Sequence, residues 1–79
     1  MTNIEKLNNV FIEVFNVEPS ALGASFDNKS VEGWDSVRQL SLTAAIEDAF
    51  DIMLDPEDII GCNSYEGAKQ ILTKYDIEL

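Results

Sequence analysis

Histidine is absent from the 79-residue sequence, and Cys62 is its only cysteine. A nucleophilic serine or cysteine usually needs an imidazole base, so the common catalytic triads are excluded. One cysteine without histidine forms neither an internal disulfide nor a structural zinc site, and the acidic residues lack the spacing of an EF-hand loop. We therefore expect neither catalytic residues nor a metal site.

Long apolar segments are also missing from the sequence. No apolar run approaches the roughly 20 residues that are needed to span a bilayer. No basic, apolar segment at the N-terminus suggests export. These two absences predict a cytoplasmic protein that does not insert into membranes.

Basic residues are scarce, with 5 lysines and arginines against 15 aspartates and glutamates and a formal net charge of -10. Such a surface repels nucleic-acid phosphates and attracts basic patches on other proteins. The hydrophobic fraction of 46% is still high enough for folding. We expect one small domain over residues 1–79, kept monomeric by its charge, whose partners are proteins and not nucleic acids.

Apolar residues recur at helical spacing in four segments, and no strand-like alternation competes with them. The predicted order is a helix from Thr2 to about Asn16, a long loop from Val17 to Trp34, a helix from Asp35 or Ser36 to Phe50, a short helix from Asp55 to Ile60, and a last helix capped by Asn63. Leu22, Phe26 and Val31 of the loop are predicted to insert into the core. The fold class is thus all-α: a small four-helix bundle of three longer helices and a short third helix, with a long loop between the first two.

The second helix has apolar residues on two faces. The face predicted to enter the core comprises Leu42, Ile46, Ala49 and Phe50. The nearly opposite face, here called the apolar strip, comprises Val37, Leu40 and Ala44 and is flanked by the acidic Glu47 and Asp48. An apolar strip beside carboxylates is typical of a docking site for a partner with a basic, partly apolar patch. The alternative is that the long loop folds over the strip.

Ser36 follows Asp35 at the start of this helix and allows three interpretations. Catalysis is disfavoured, because there is no histidine and no glycine pair flanks the serine as in a nucleophile elbow. Asp35 and Ser36 can simply cap the helix. Alternatively Ser36 is an attachment point, since a phosphate esterified to it would lie near backbone N–H groups and the positive end of the helix dipole. The local sequence leaves the last two interpretations open.

Residues 35–59, DSVRQLSLTAAIEDAFDIMLDPEDI, resemble a segment of a known family. Ala24, Ser25 and Phe26 resemble the small residues followed by phenylalanine that precede this segment in the family. With its four predicted helices, the sequence resembles the acyl carrier proteins over nearly its whole length. The resemblance implies a non-catalytic carrier, in which a phosphopantetheinyl transferase moves 4'-phosphopantetheine from coenzyme A to Ser36. Acyl groups would be carried on the arm as thioesters, Asp35 would help the transferase engage the site, and the core between the helices would shelter part of an acyl chain.

The resemblance also implies partners and pathways. Acyl ligases, acyl transferases and synthases with basic docking patches would meet the apolar strip together with Glu47 and Asp48. Arg38 and Ser41 stand where carriers of fatty-acid synthesis usually have acids, and Trp34 replaces a small residue, so we expect Arg38 and Ser41 to help select partners. These departures favour a specialised carrier in fatty-acid-like, polyketide or other acyl biosynthesis over the housekeeping carrier. An aminoacyl or peptidyl carrier, and an acidic protein-binding module without an arm, are the alternatives.

Overall fold

Four α-helices and their connections form residues 2–79, which are the residues that the computed structural model describes. The helices are α1 (Asn3–Phe15), α2 (Ser36–Phe50), α3 (Pro56–Gly61) and α4 (Tyr65–Lys74). Over the same residues there is no β-strand, only an isolated bridge between Asp27 and Ser64. The predicted all-α bundle, with a short third helix and a long loop between the first two helices, is confirmed. None of these helices is long and apolar enough to cross a membrane.

The first helix begins and ends where its sequence predicts. The Thr2 hydroxyl accepts a hydrogen bond from the N–H of Glu5, and the Glu5 carboxylate accepts one from the N–H of Thr2 at 3.1 Å, which completes a capping box. The helix ends at Asn16, whose φ of 54° is the left-handed conformation common at helix C-termini. Leu7 and Phe11 on its inner face are fully buried. This face packs mainly against α2.

The second helix is the main partner of α1 in the core. Asp35 caps it, because its Oδ1 accepts a hydrogen bond from the N–H of Arg38 at 2.9 Å. On the predicted core face, Leu42 and Ile46 are buried, and the half-buried Phe50 packs against the same cluster. The helix therefore starts at Ser36 and is anchored by its second and third turns.

The limits of the last two helices differ slightly from the prediction. The third helix was predicted to end at Ile60 but continues to Gly61, its last residue. The cap of α4 is Ser64 and not Asn63, since the Ser64 hydroxyl accepts from the N–H of Gly67 at 2.8 Å. The carbonyl of Asn63 instead accepts from the N–H of Asn28 at 3.0 Å. The backbone of Asn63 thus connects the long loop to the segment that precedes α4.

The start of α3 is held by the end of α4. Asp55 occupies the N-cap position of α3 without a side-chain bond, and its N–H donates to the hydroxyl oxygen of Tyr75 at 2.9 Å. That hydroxyl donates to Asp58 at 2.6 Å, and the Lys74 ammonium donates to the same carboxylate at 2.9 Å. Both bonds hold the pKa of the buried Asp58 below its ordinary value. This chain of polar contacts fixes the orientation of α3 against α4.

An aromatic cluster joins the long loop to α1. The loop contributes Phe26, which is buried as predicted, and the half-buried Trp34. The Phe26 ring meets the ring of Phe11 edge-on, with centroids 5.7 Å apart, and the Trp34 indole lies 4.6 Å from the ring of Phe15. The cluster therefore fixes the loop at its middle, through Phe26, and at its end, through Trp34, which lies two places before Ser36.

The remainder of the loop closes over the core and not over α2. Leu22 and Val31 are half-buried against the core, as predicted, and Pro19–Ala21 adds a turn of 3-10 helix that the sequence pattern did not predict. The carbonyl of Phe26 accepts from the N–H of Tyr65 at 2.9 Å. These contacts hold the loop on the side of α1 and α4.

Candidate functional site

Ser36 is the first residue of α2, and its side chain is exposed. Asp35 fixes the first turn twice, because its Oδ1 accepts from the N–H of Arg38 and its carbonyl accepts from the N–H of Gln39, both at 2.9 Å. The approach to the helix requires Gly33, whose φ of +86° is a conformation that side chains disfavour. The serine is thus presented at a rigid, capped helix start.

The Arg38 guanidinium, the nearest cation along the chain, is directed away from Ser36. Its Nη1 donates to the carbonyl of Val14, near the C-terminal end of α1. That carbonyl end carries the negative part of the α1 dipole, so the contact suits a cation. Arg38 therefore ties α2 to α1 and does not activate the Ser36 hydroxyl, which has no basic partner in its own turn.

A surface groove of about 490 Å³ opens beside Ser36. Its exposed edges are apolar and come from Leu40 on α2 and Ile60 on α3, while Trp34 and Gln39 form part of its wall. Ser36 itself belongs to the lining. A group attached to the serine therefore has an adjacent surface with both apolar and polar contacts.

Gln39 uses its whole side-chain amide to connect three parts of the chain. Its Oε1 accepts from the indole N–H of Trp34 at 2.6 Å. Its Nε2 donates to the carbonyls of Ile59 at 2.8 Å and of Cys62 at 2.5 Å. The loop, α2 and the end of α3 thus meet at this one side chain, directly beside Ser36.

The apolar strip is open to solvent, so the alternative in which the loop covers it is wrong. Val37 is 71% exposed and Leu40 is 61% exposed, and Ala44 is exposed as well. Ile60 of α3, 76% exposed, extends the apolar surface beyond the groove. The two helices together present apolar side chains on both sides of the Ser36 groove.

The two acids predicted to flank the strip differ in their surroundings. Asp48 is exposed, whereas Glu47 is half-buried and its Oε2 accepts from the N–H of Leu54 at 2.8 Å. The backbone carbonyl of Glu47 also accepts from the N–H groups of Asp51 and Ile52. Glu47 therefore holds the connector that follows α2. The partner-binding roles of Glu47, Asp48, Arg38 and Ser41 stay predictions; Arg38 and Ser41 are both exposed near the groove end of α2.

Several residues around the site escaped the sequence analysis. Gln39 and Thr43 are polar residues on a helix and give no signal for burial, although the Thr43 hydroxyl donates to the carbonyls of Gln39 and Leu40 at 3.1 Å. Ile60 had a usable signal, because neighbouring helical residues point about 100° apart and Ile59 and Ile60 cannot both face the core. Only Ile59 packs against it.

The remaining reactive group near the site is Cys62, and it is inaccessible. Its side chain is fully buried, as expected for a cysteine that acts as a small hydrophobe. Burial and the nearby negative charge of Asp58 raise the pKa of its thiol to about 12. The thiol is therefore neither a nucleophile nor a metal ligand, and residues 2–79 contain no cluster of three or more side chains placed to hold a metal.

An all-α bundle that presents one exposed serine at the capped start of its second helix, beside a groove and an open apolar strip, is the arrangement of a carrier domain. A family model described as the phosphopantetheine attachment site matches residues 5–71, and the chain belongs to that family. Searches of curated proteins and of solved structures gave no significant match. Domains of this family carry covalently attached 4'-phosphopantetheine and are usually non-catalytic.

The start of α2 is suited to carry a 4'-phosphopantetheine group. An exposed hydroxyl at the N-terminal end of a long helix places an esterified phosphate near the positive end of the dipole. Ser36 is exposed, lines the groove and lies within the matched residues.

Proposed function

We propose that this protein is an acyl carrier protein whose 4'-phosphopantetheine is attached to Ser36. The observation that carries the proposal is the position of Ser36, exposed at the first residue of α2 inside the segment that matches the phosphopantetheine attachment family. The terminal thiol of the arm supplies the thioester chemistry. We assign no catalytic residue to the chain itself, since it has no histidine and Arg38, the nearest cation along the chain from Ser36, is bonded to the carbonyl of Val14.

Attachment at Ser36 is a phosphoryl-group transfer from coenzyme A. The Ser36 Oγ forms a new bond to the phosphorus next to the pantetheine, and the P–O bond to the second phosphate breaks. Adenosine 3',5'-bisphosphate leaves, and the hydroxyl proton passes to a base of the transferase. Asp35 holds the backbone of the first turn, which carries Ser36, through its bonds to the N–H groups of Arg38 and Gln39.

Partner enzymes are proposed to dock on the apolar strip. Val37 and Leu40 supply exposed apolar area next to the attachment point, and the net charge of -10 favours partners with basic rims. Asp48 is free to face such a rim. These partners would be phosphopantetheinyl transferases, acyl ligases, acyl transferases and synthases.

A specialised pathway is proposed on the basis of Arg38 and Ser41. Both are exposed on α2, and neither contributes the negative charge that a partner of general fatty-acid synthesis would expect. Restoring acids with Arg38→Glu and Ser41→Asp should improve exchange with such enzymes. We further propose that the carrier acts in the cytoplasm as a monomer of one domain.

The proposal is tested by incubating the protein with coenzyme A and a broad-specificity transferase and measuring the intact mass. We expect one phosphopantetheine adduct on the wild type and none on Ser36→Ala. Ser41→Ala is the matched control, because it removes an exposed hydroxyl from the same helix and should leave the adduct in place. An unmodified wild type, or an adduct that survives Ser36→Ala, contradicts the proposal.

Loading assays separate an acyl carrier from an aminoacyl or peptidyl carrier. The apolar edges formed by Leu40 and Ile60 favour acyl groups beside the serine. We expect acyl ligases to load the modified protein faster than amino-acid-activating enzymes do. Faster loading with amino acids would assign it to the other kind of carrier.

A further inference from the structure

Gln39 lies between the Ser36 groove and the buried core. It forms part of the groove wall, together with Trp34 and Ile59. One helical turn further along α2, on the same side of the helix, Leu42 is fully buried, and so is Cys62 at the end of α3. A chain that passes from the groove into the core between α2 and α3 must therefore pass Gln39.

The amide of Gln39 bridges this passage. Its Nε2 donates across it to the carbonyls of Ile59 and Cys62 at 2.8 and 2.5 Å, and its Oε1 accepts from the Trp34 indole at 2.6 Å. Both amide protons and the amide oxygen are thus engaged. Two of the three partners are backbone carbonyls, in α3 and at its end. These two bonds therefore cannot move aside unless the backbone moves as well.

The third partner, Trp34, is held equally firmly. Its ring lies 4.6 Å from the ring of Phe15, 5.9 Å from that of Phe26 and 6.4 Å from that of Phe11, measured between centroids. Moving the indole to open the passage would break these contacts as well. Gln39 and its three hydrogen-bond partners, here called the Gln39 network, therefore close the passage between α2 and α3.

We infer that the Gln39 network keeps short carried groups, from acetyl to about hexanoyl, in the surface groove and out of the core. The inference rests on the proposed attachment at Ser36. For these short groups it replaces the expectation that the core between the helices shelters part of an acyl chain.

The balance between chain length and hydrogen bonds supports this limit. An alkyl chain in the passage leaves the indole N–H and the two carbonyls without partners, and each such loss disfavours entry roughly five- to hundredfold. Each methylene that leaves water favours entry by only about fourfold. Three lost bonds together disfavour entry by about a hundredfold to a millionfold. Acetyl has no methylene and butyryl has two, which recover only about 16-fold, so both stay below this range. The four methylenes of hexanoyl recover about 250-fold and exceed only its lower end.

The test uses a series of acyl groups, transferred to Ser36 as acyl-phosphopantetheine from acetyl-, butyryl- and hexanoyl-coenzyme A. Trp34 is the only tryptophan, so its fluorescence reports directly on the network. For the wild type we expect the same Trp34 emission and the same Tm for all three groups. For Gln39→Met, which keeps the side-chain length but loses all three bonds, emission and Tm should shift progressively with chain length. The exposed Gln70→Met on α4 is the matched control and should behave as the wild type.

Two results would overturn the inference. One is a progressive change in emission and Tm from acetyl to hexanoyl in the wild type, which would show that the chain already enters the core. The other is a Gln39→Met series as flat as that of the wild type. Should Gln39→Met fail to fold, Trp34→Phe removes the indole donor but keeps an aromatic ring, and its Tm series replaces the fluorescence. Adduct formation, measured by mass, is a separate readout, so failure of attachment at Ser36 is distinguishable from failure of the Gln39 network to keep the chain out of the core.

Discussion

Glu47 belongs to the predicted docking surface, but its contacts assign it a structural task that a substitution can measure. Its Oε2 accepts the N–H of Leu54 at 2.8 Å, and Leu54 is only 5% exposed. In Glu47→Ala the N–H of Leu54 loses its acceptor in a place that water reaches poorly. An unsatisfied buried donor costs about 1–3 kcal/mol.

That cost is a large part of the stability of so small a protein. A chain of 79 residues is expected to have an unfolding free energy of about 4–12 kcal/mol. A loss of 1 kcal/mol lowers Tm by about 4–8 °C in a domain of this size, so Glu47→Ala should melt at least about 4 °C below the wild type. Urea unfolding followed by far-ultraviolet circular dichroism gives the free energy independently.

Two further variants make the measurement specific. Glu47→Gln keeps an oxygen acceptor and removes the charge, so it should retain most of the stability. Asp48→Ala removes a neighbouring exposed carboxylate and should change the unfolding free energy by less than about 0.5 kcal/mol. Equal stabilities of Glu47→Ala and Asp48→Ala would refute the reasoning, and would return Glu47 to a purely partner-facing role.

Three other predictions concern the α3–α4 contact, the buried thiol and the helix cap. Hydrogen bonds from Tyr75 and Lys74 lower the pKa of Asp58 in the folded state. The ionised carboxylate therefore stabilises the fold above about pH 4, and this stabilisation is lost as the pH falls through the lowered pKa of the folded state. Urea titrations across this range should show a smaller acid loss in Asp58→Asn; an unchanged acid loss contradicts this. Cys62, with a pKa near 12, should resist alkylation at pH 8 in the folded protein and react once urea unfolds it; rapid alkylation without urea would show that the thiol is accessible. Asp35→Ala should lower the unfolding free energy by about 1 kcal/mol through loss of the cap, and Asp35→Asn should restore most of it; no difference between these two variants would argue against the cap.

The helices could be predicted because their signals are local. Thr2 with Glu5, and Asp35 before Ser36, determine helix starts through contacts within one turn, and both caps are observed. The cap of the last helix was placed one residue early because Asn63 and Ser64 are both good caps. The choice between them depends on the bond from Asn28 to the Asn63 carbonyl, a contact across 35 positions that local patterns do not contain.

Only part of the site could be predicted, because some of its features follow from local helical spacing and others depend on contacts between distant segments. The exposure of Val37 and Leu40 follows from helical spacing on α2, whereas the role of Gln39 depends on the carbonyls at the end of α3 and on the indole of Trp34. Trp34 itself was noticed only as an unusual residue before Asp-Ser. Its position in the aromatic cluster explains why a large side chain is accommodated there.

The most direct test of the central claim is localisation of the phosphopantetheine by tandem mass spectrometry of peptides from the modified protein. The chain has further exposed serines in Ser20, Ser25, Ser30 and Ser41, so the experiment offers a real choice of sites. Our account predicts that the arm is found on Ser36 and on none of the others. Modification of any other serine, with Ser36 left unmodified, would contradict it.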